Sequence, residues 1–217
     1  MDPLWVLVVR SVAVAFLGVL LFFPLALWLG WRLARTPFPG AAVIETIAML
    51  PLVLPPVVTG FALLMFFSPV FPLGRMLEDI FGLRVPFTLS AAVLAAGLVS
   101  FPLLLRGIKT GFAGASTACE DAAATLGCTR AQVFWRVTLP LARRGVAAGV
   151  ILALARALGE FGATLVVAGN IPGRTQTLPL AIYRVTQLGD VTTGWWLVGL
   201  AVLLALALSL LARPFER

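Results

Sequence analysis

Between Glu45 and Arg75 the chain carries no charged residue, and Pro51, Pro55, Pro56 and Gly60 fall inside that stretch. Four other stretches are nearly as apolar: 4–31, 85–105, the run that begins near Gly145, and 191–212. About 18 apolar residues in a row are enough to suggest a membrane-crossing helix. The expected fold is therefore an all-α, polytopic membrane bundle. It has five spans, or six if 41–69 is split in two.

Composition agrees. Of 217 residues, 61% are hydrophobic and 12% charged, against roughly 25% charged in soluble domains. One transmembrane domain over 1–217 accounts for the whole chain and leaves no room for a soluble catalytic domain. The formal net charge is +7 with no histidine. The positive residues cluster at the ends of apolar runs, so membrane topology explains them and nucleic acid is not an expected partner.

The first run, 4–31, is too long for a secretory signal and is read as a span. Trp5, Trp28 and Trp31 suit the two membrane–water interfaces. A short positive loop with Arg32, Arg35, Pro37, Pro39 and Gly40 follows it. In the second run, the prolines free backbone carbonyls and bend the helix. Such carbonyls need protein or water around them, so Pro55, Pro56, Thr59 and Gly60 are candidates either to line a pathway or to form a packing kink. Residues 70–86 mix Arg75, Glu78, Asp79 and Arg84 with apolar residues and form an amphipathic, interfacial loop.

The fourth run holds Arg156 and Glu160 four residues apart, which would place them on one helix face. Ionisable groups inside a span are costly and pair or face an aqueous cavity. A mutual ion pair is the plainer assignment, and contact with a transported ion is the other. Gly159 and Gly162 bracket Glu160 and would permit close helix approach, and with Thr164 they are also small, neutral pathway candidates. In 170–190, Ile171-Pro172-Gly173 is a turn signal and Pro179 opens a short helix. Thr175, Gln176 and Thr177 ahead of it form either an anion-contacting helix start or a surface loop.

The polar segment 117–140 interrupts this pattern. Thr117 with Glu120, and Thr129 with Gln132, both fit capping boxes. Gly127 suits the left-handed residue that ends a helix. The expectation is a short helix, a fixed bend at Gly127, and a second helix ending at the junction marked by Pro140. Cys119 and Cys128 lie in the same segment, and two cysteines without histidine are a poor zinc site.

Glu120-Asp121-Ala122-Ala123, Gly127 and then Leu139-Pro140 resemble the coupling loop of ATP-binding-cassette importer permeases. In that family a glutamate stands six residues before the glycine. Here Asp121 holds that place, and Glu120 lies one residue earlier on another side of the helix. Residues 155–183, ARALGEFGATLVVAGNIPGRTQTLPLAIY, are similar to the molybdate and tungstate branch, with sulfate permeases sharing the first part. The resemblance implies a type I permease fold in a prokaryotic inner membrane. It also implies a second copy of the chain, two cytoplasmic ATP-binding subunits and an external binding protein, all set in membrane lipid. Glu120, Asp121, Ala122, Ala123, Gly127, Leu139 and Pro140 would couple to the ATPase.

There is no P-loop motif, so ATP and magnesium would sit on the partner and no cofactor on this chain. No metal cluster or nucleophile motif suggests an enzyme. With 117–140 placed in the cytoplasm, Arg32, Arg35, Arg106, Lys109, Arg130, Arg136, Arg143, Arg144, Arg213 and Arg217 lie inside. Arg75, Arg84, Arg174 and Arg184 lie outside. That bias puts the N-terminus out and the C-terminus in. Sulfate or thiosulfate as cargo, or an ATP-independent channel or secondary transporter, are the rival expectations.

Overall fold

The computed structural model describes residues 3–36 and 38–212, so Pro37, Arg213 and Arg217 lie outside the described residues. Among the described residues the regular structure is entirely helical. Four helices are long and apolar enough to cross a membrane, and a bent pair raises the number to five if it counts as one span.

Helix α1 (Leu4–Arg35) is 32 residues long. At about 1.5 Å per residue it reaches well beyond a hydrocarbon core of about 30 Å. It carries Arg32 and Arg35 in its last turn, where positive side chains complement the helix dipole. The span expected at 85–105 is α5 (Leu89–Gly114). Residues 85–87 are excluded because Phe87 takes φ +60° and the Thr88 hydroxyl caps the helix at Ala91 N. At the other end the helix continues past Arg106 and Lys109, which the expected span 85–105 leaves beyond its end.

Helix α5 is the centre of the bundle and packs most extensively on α1 and α8 (Leu139–Leu158). The contacts are backbone to backbone. A Cβ on Gly107 would sit 2.3 Å from Gly149 Cα, and one on Gly145 would sit 2.3 Å from Gly111 Cα. Gly107 and Gly111 of α5 thus face Gly145 and Gly149 of α8, a small-residue crossing that lets two helices approach without side chains between them. Helix α1 makes a similar close approach, and a Cβ on its Gly18 would sit 2.8 Å from Gly97 N of α5.

The proline-rich run forms α2 (Ala41–Val53) and α3 (Pro56–Phe67), bent by 109° to each other. The cause is two prolines in succession. Each disfavours the helical conformation in the residue before it. Leu54 accordingly has ψ 143° and Pro55 ψ 132°, and Pro56 restarts the helix as a residue with its φ already set. Helix α4 (Pro72–Phe81) occupies the stretch expected to be an amphipathic loop, and Gly82 ends it at φ +63°.

Helix α8 ends at Leu158, and α9 (Gly162–Ala168) begins after a three-residue break. Helix α10 (Leu178–Leu188) and α11 (Val191–Ala212) complete the chain. Thr193 donates from its N–H to the Asp190 carboxylate ahead of α11. Hydrogen bonds from Thr193 hold that carboxyl below its ordinary value.

Candidate functional site

The segment between α5 and α8 projects from the bundle. Helix α6 (Thr117–Thr125) has no buried residue and packs chiefly on α7 (Arg130–Val133) and the π-helical turn Phe134–Thr138. Gly127 takes φ +86°. Gly127 N donates to Ala124 O at 3.0 Å and Cys128 N to Ala123 O at 3.1 Å. This pair of bonds is a Schellman termination, which satisfies carbonyls at the end of α6 and turns the chain sharply. Open space surrounds Gly127, so the backbone conformation, not crowding, is what demands glycine there.

Beyond the bend, Thr129 and Gln132 form a complete capping box. Gln132 N donates to Thr129 Oγ1 at 3.3 Å, and Thr129 N to Gln132 Oε1 at 2.8 Å. Thr129→Ala removes one acceptor and is expected to cost about 1 kcal/mol, measurable as faster backbone amide exchange in 129–133. Unchanged exchange would mean that packing alone holds the turn.

The other capping box does not form. Ser116, not Thr117, is the cap residue of α6, with no side-chain cap. The reason is competition. Glu120 Oε1 instead accepts from Arg35 Nη2 at 2.6 Å, across 85 positions of chain. Asp121 is exposed. The junction expected at Pro140 is also absent, because 130–158 is one continuous helical rod. Proline lacks an N–H and its ring crowds the carbonyl four residues back. The π turn absorbs this, with Leu139 N bonded to Phe134 O five residues back.

Three residues of this region were not assigned to the site from the sequence. Arg35 was legible only as a positive loop residue, and no local signal links it to Glu120. Leu126, the C-cap residue of α6, is 85% exposed, and Trp135 is 62% exposed. Both are apolar residues in a polar segment, and that contrast is the signal that could have found them. Phe134, by comparison, is held between Trp31 and Phe112, with ring centroids 5.4 and 6.0 Å away.

The pathway candidates divide. Thr59, Gly60, Gly162 and Thr164 are buried, whereas Pro55 and Gly159 are exposed. A Cβ on Gly60 would meet Ala163 O at 2.6 Å, and one on Gly162 would meet Pro56 Cβ at 2.9 Å. Gly60 and Gly162 are therefore the touching points of α3 and α9, not the wall of an open space.

Arg156 Nη1 and Glu160 Oε2 lie 2.9 Å apart, with side chains 27% and 2% exposed. They do not share a helix face, since Glu160 stands in the break after α8. Its other oxygen accepts from Ala163 N at 2.8 Å. One carboxylate thus pairs with the end of α8 and satisfies an orphan donor at the start of α9.

Thr175, Gln176 and Thr177 are neither a surface loop nor an open helix start, being 1%, 1% and 4% exposed. The Thr175 hydroxyl bonds within its own loop, to Ile171 N and Gly169 O. Leu178 N, the first donor of α10, is taken by Ser11 Oγ at 2.7 Å, and Pro179 has none to offer.

Residues 7–215 match the family described as binding-protein-dependent transport system inner membrane component. The molybdenum transport system permease protein ModB of Escherichia coli is 45% identical over 186 residues, 86% of this chain and 81% of that protein. The putative molybdenum transport system permease protein YvgM of Bacillus subtilis is 45% identical over 197 residues, 90% and 87% of the two chains. The sulfate transport system permease protein CysW of Synechococcus elongatus is 40% identical over 152 residues, 70% and 53%. Among solved structures, the inward-facing MetNI methionine ABC transporter matches with a TM-score of 0.73 over all of both chains at 18% identity, a likeness of fold. A bundle of apolar spans carrying a projecting helix–bend–helix segment, with these matches across nearly its whole length, belongs to the inner-membrane permease components of binding-protein-dependent ABC transport systems.

Proposed function

We propose that this chain forms, as a homodimer, the translocation pathway of an importer for molybdate or tungstate. Two cytoplasmic subunits bind and hydrolyse ATP with magnesium, and this chain itself holds no cofactor. An external binding protein delivers the oxyanion, and lipid surrounds the apolar faces. The N-terminus lies outside and the C-terminus inside, consistent with the surplus of arginine on the coupling side.

The observation that carries this reading is the shape of the segment 117–140. An exposed helix ends in a Schellman bend and is joined to a continuous helix that becomes a span. Such a unit transmits force, because its corner is hydrogen-bonded and not loose. ATP binding draws the ATPase subunits together, α6 moves with them, and α7 with its π turn carries the motion into α8. Glu120, Asp121, Ala122, Ala123 and Gly127 belong to the lever, and Leu139 and Pro140 lie where it enters the membrane helix. Selectivity resides chiefly on the binding protein, since a pathway must release its ion.

The molybdenum relatives support the cargo, being more similar over more of the chain than the sulfate relative. Sulfate remains the second reading on the strength of that relative. The chain reconstituted in liposomes with its ATPase and binding protein is expected to hydrolyse ATP and take up anion in response to molybdate or tungstate. Response to sulfate alone would keep the importer and change the cargo. Anion flux from the chain without ATP would overturn the importer.

A further inference from the structure

The coupling segment carries two adjacent carboxylates, and the fold uses them differently. A single nitrogen, Arg35 Nη2, donates to Glu120 Oε1 at 2.6 Å and to Ala115 O at 2.9 Å. Ala115 is the C-cap residue of α5, and Glu120 lies in the first turn of α6. Arg35 thus spans the corner at which the central span becomes the coupling helix. The site is shielded, with Arg35 and Glu120 side chains 12% and 19% exposed. The chemistry is favourable on both sides, because a cation suits the negative end of α5 and a carboxylate suits the positive end of α6. Arg35 Nε is buried without a partner, so the guanidinium makes its bonds at this corner through its outer nitrogen. Asp121 is displaced by about 100° around α6. It is exposed and makes no ion pair among the described residues.

We propose a division of labour, resting on the importer reading above. Arg35 is a positioning residue that braces the α5–α6 corner through Glu120, tying the coupling helix to the first span as well as to the central one. Asp121 is the carboxylate presented to the ATPase. Movement of α6 is then delivered to α1 and α5 together. Without the brace, α6 swings on its connection to α5 and part of each ATPase stroke is lost.

The test uses the full importer in liposomes and reads anion taken up per ATP hydrolysed, together with ATPase subunit retained on the permease. Arg35→Gln and Glu120→Gln are expected to retain the ATPase while uptake per ATP falls about fivefold, the lower end of typical coupling between sites. Because one nitrogen makes both bonds, Arg35→Lys restores uptake. Asp121→Asn is expected to lose ATPase retention instead. A spin label on Cys119, which is exposed, in a Cys128→Ser background reports the brace directly. Its mobility rises in Arg35→Gln and Glu120→Gln and stays unchanged in Asp121→Asn. Loss of ATPase from Glu120→Gln with normal coupling in Arg35→Gln would overturn the proposal, assigning Glu120 to the partner. So would label mobility unaffected by either brace variant. Failure of the unaltered complex to couple uptake to ATP would instead overturn the importer reading.

Discussion

Gly145→Ala is expected to cost about 3 kcal/mol, the upper part of the usual overpacking range. For a chain of this size that lowers Tm by about 6–12 °C. The added carbon would lie 2.3 Å from Gly111 Cα and 3.4 Å from Gly107 O. Neither atom is the tip of a side chain that could turn away, so two helix backbones must separate. Those helices, α5 and α8, flank the projecting segment, and α5 makes the two largest helix contacts of the bundle, with α1 and with α8. Gly199→Ala on α11, where no atom lies within 4 Å of the new carbon, serves as the control and is expected to leave Tm within about 1 °C. Thermal unfolding in detergent, followed by tryptophan fluorescence, makes the comparison. Equal Tm values for the two variants would show that the α5–α8 crossing can open without cost.

Glu160→Ala has the second large effect. It strands the Arg156 guanidinium and leaves Ala163 N without its acceptor. Removing one partner of a buried pair typically costs about 3–5 kcal/mol. Arg156 is 27% exposed on its side chain, which moves the expectation to the lower end, about 3 kcal/mol. Replacing both members with apolar residues of similar size costs less than removing one. Arg156→Met combined with Glu160→Met is therefore expected to recover part of the lost Tm. A single variant of normal stability that no longer takes up anion would reverse this assignment and give the pair a direct role in transport.

Much of the fold was legible from order along the chain. The span 191–212 coincides with α11, and the double proline after Leu54 marks the sharp break. Gly127 and the Thr129–Gln132 box mark the bend of the segment 117–140. These features depend on a few neighbouring residues and on φ/ψ preferences that neighbours impose, so local sequence contains them. Boundaries were less legible where charge was taken for a stop. Arg106 and Lys109 remain helical, and Lys109 Nζ reaches Glu45 across 64 positions of chain, at 2.7 and 2.8 Å from its two oxygens. A charged residue near a membrane surface need not end a helix when a partner waits on another one.

The site was legible in its outline and not in its connections. Glu120 reads as a capping residue to anyone looking three positions back, yet its partner is Arg35. Thr175, Gln176 and Thr177 read as an anion-contacting helix start or a surface loop, yet α1 covers them, with Arg10 Nη1 donating to Gln176 O at 3.0 Å and Ser11 Oγ accepting from Leu178 N. Apolar length, proline and glycine act over a few residues, so residue order along the chain was enough to specify a helical membrane protein with a projecting helix–bend–helix segment. Which glycines are contacts, which carboxylate is spent inside the chain and which is left exposed came from the packing of the helices. Those outcomes depend on pairs such as Gly107 with Gly149 and Arg35 with Glu120. Helix packing brings such pairs together from positions that no local pattern connects.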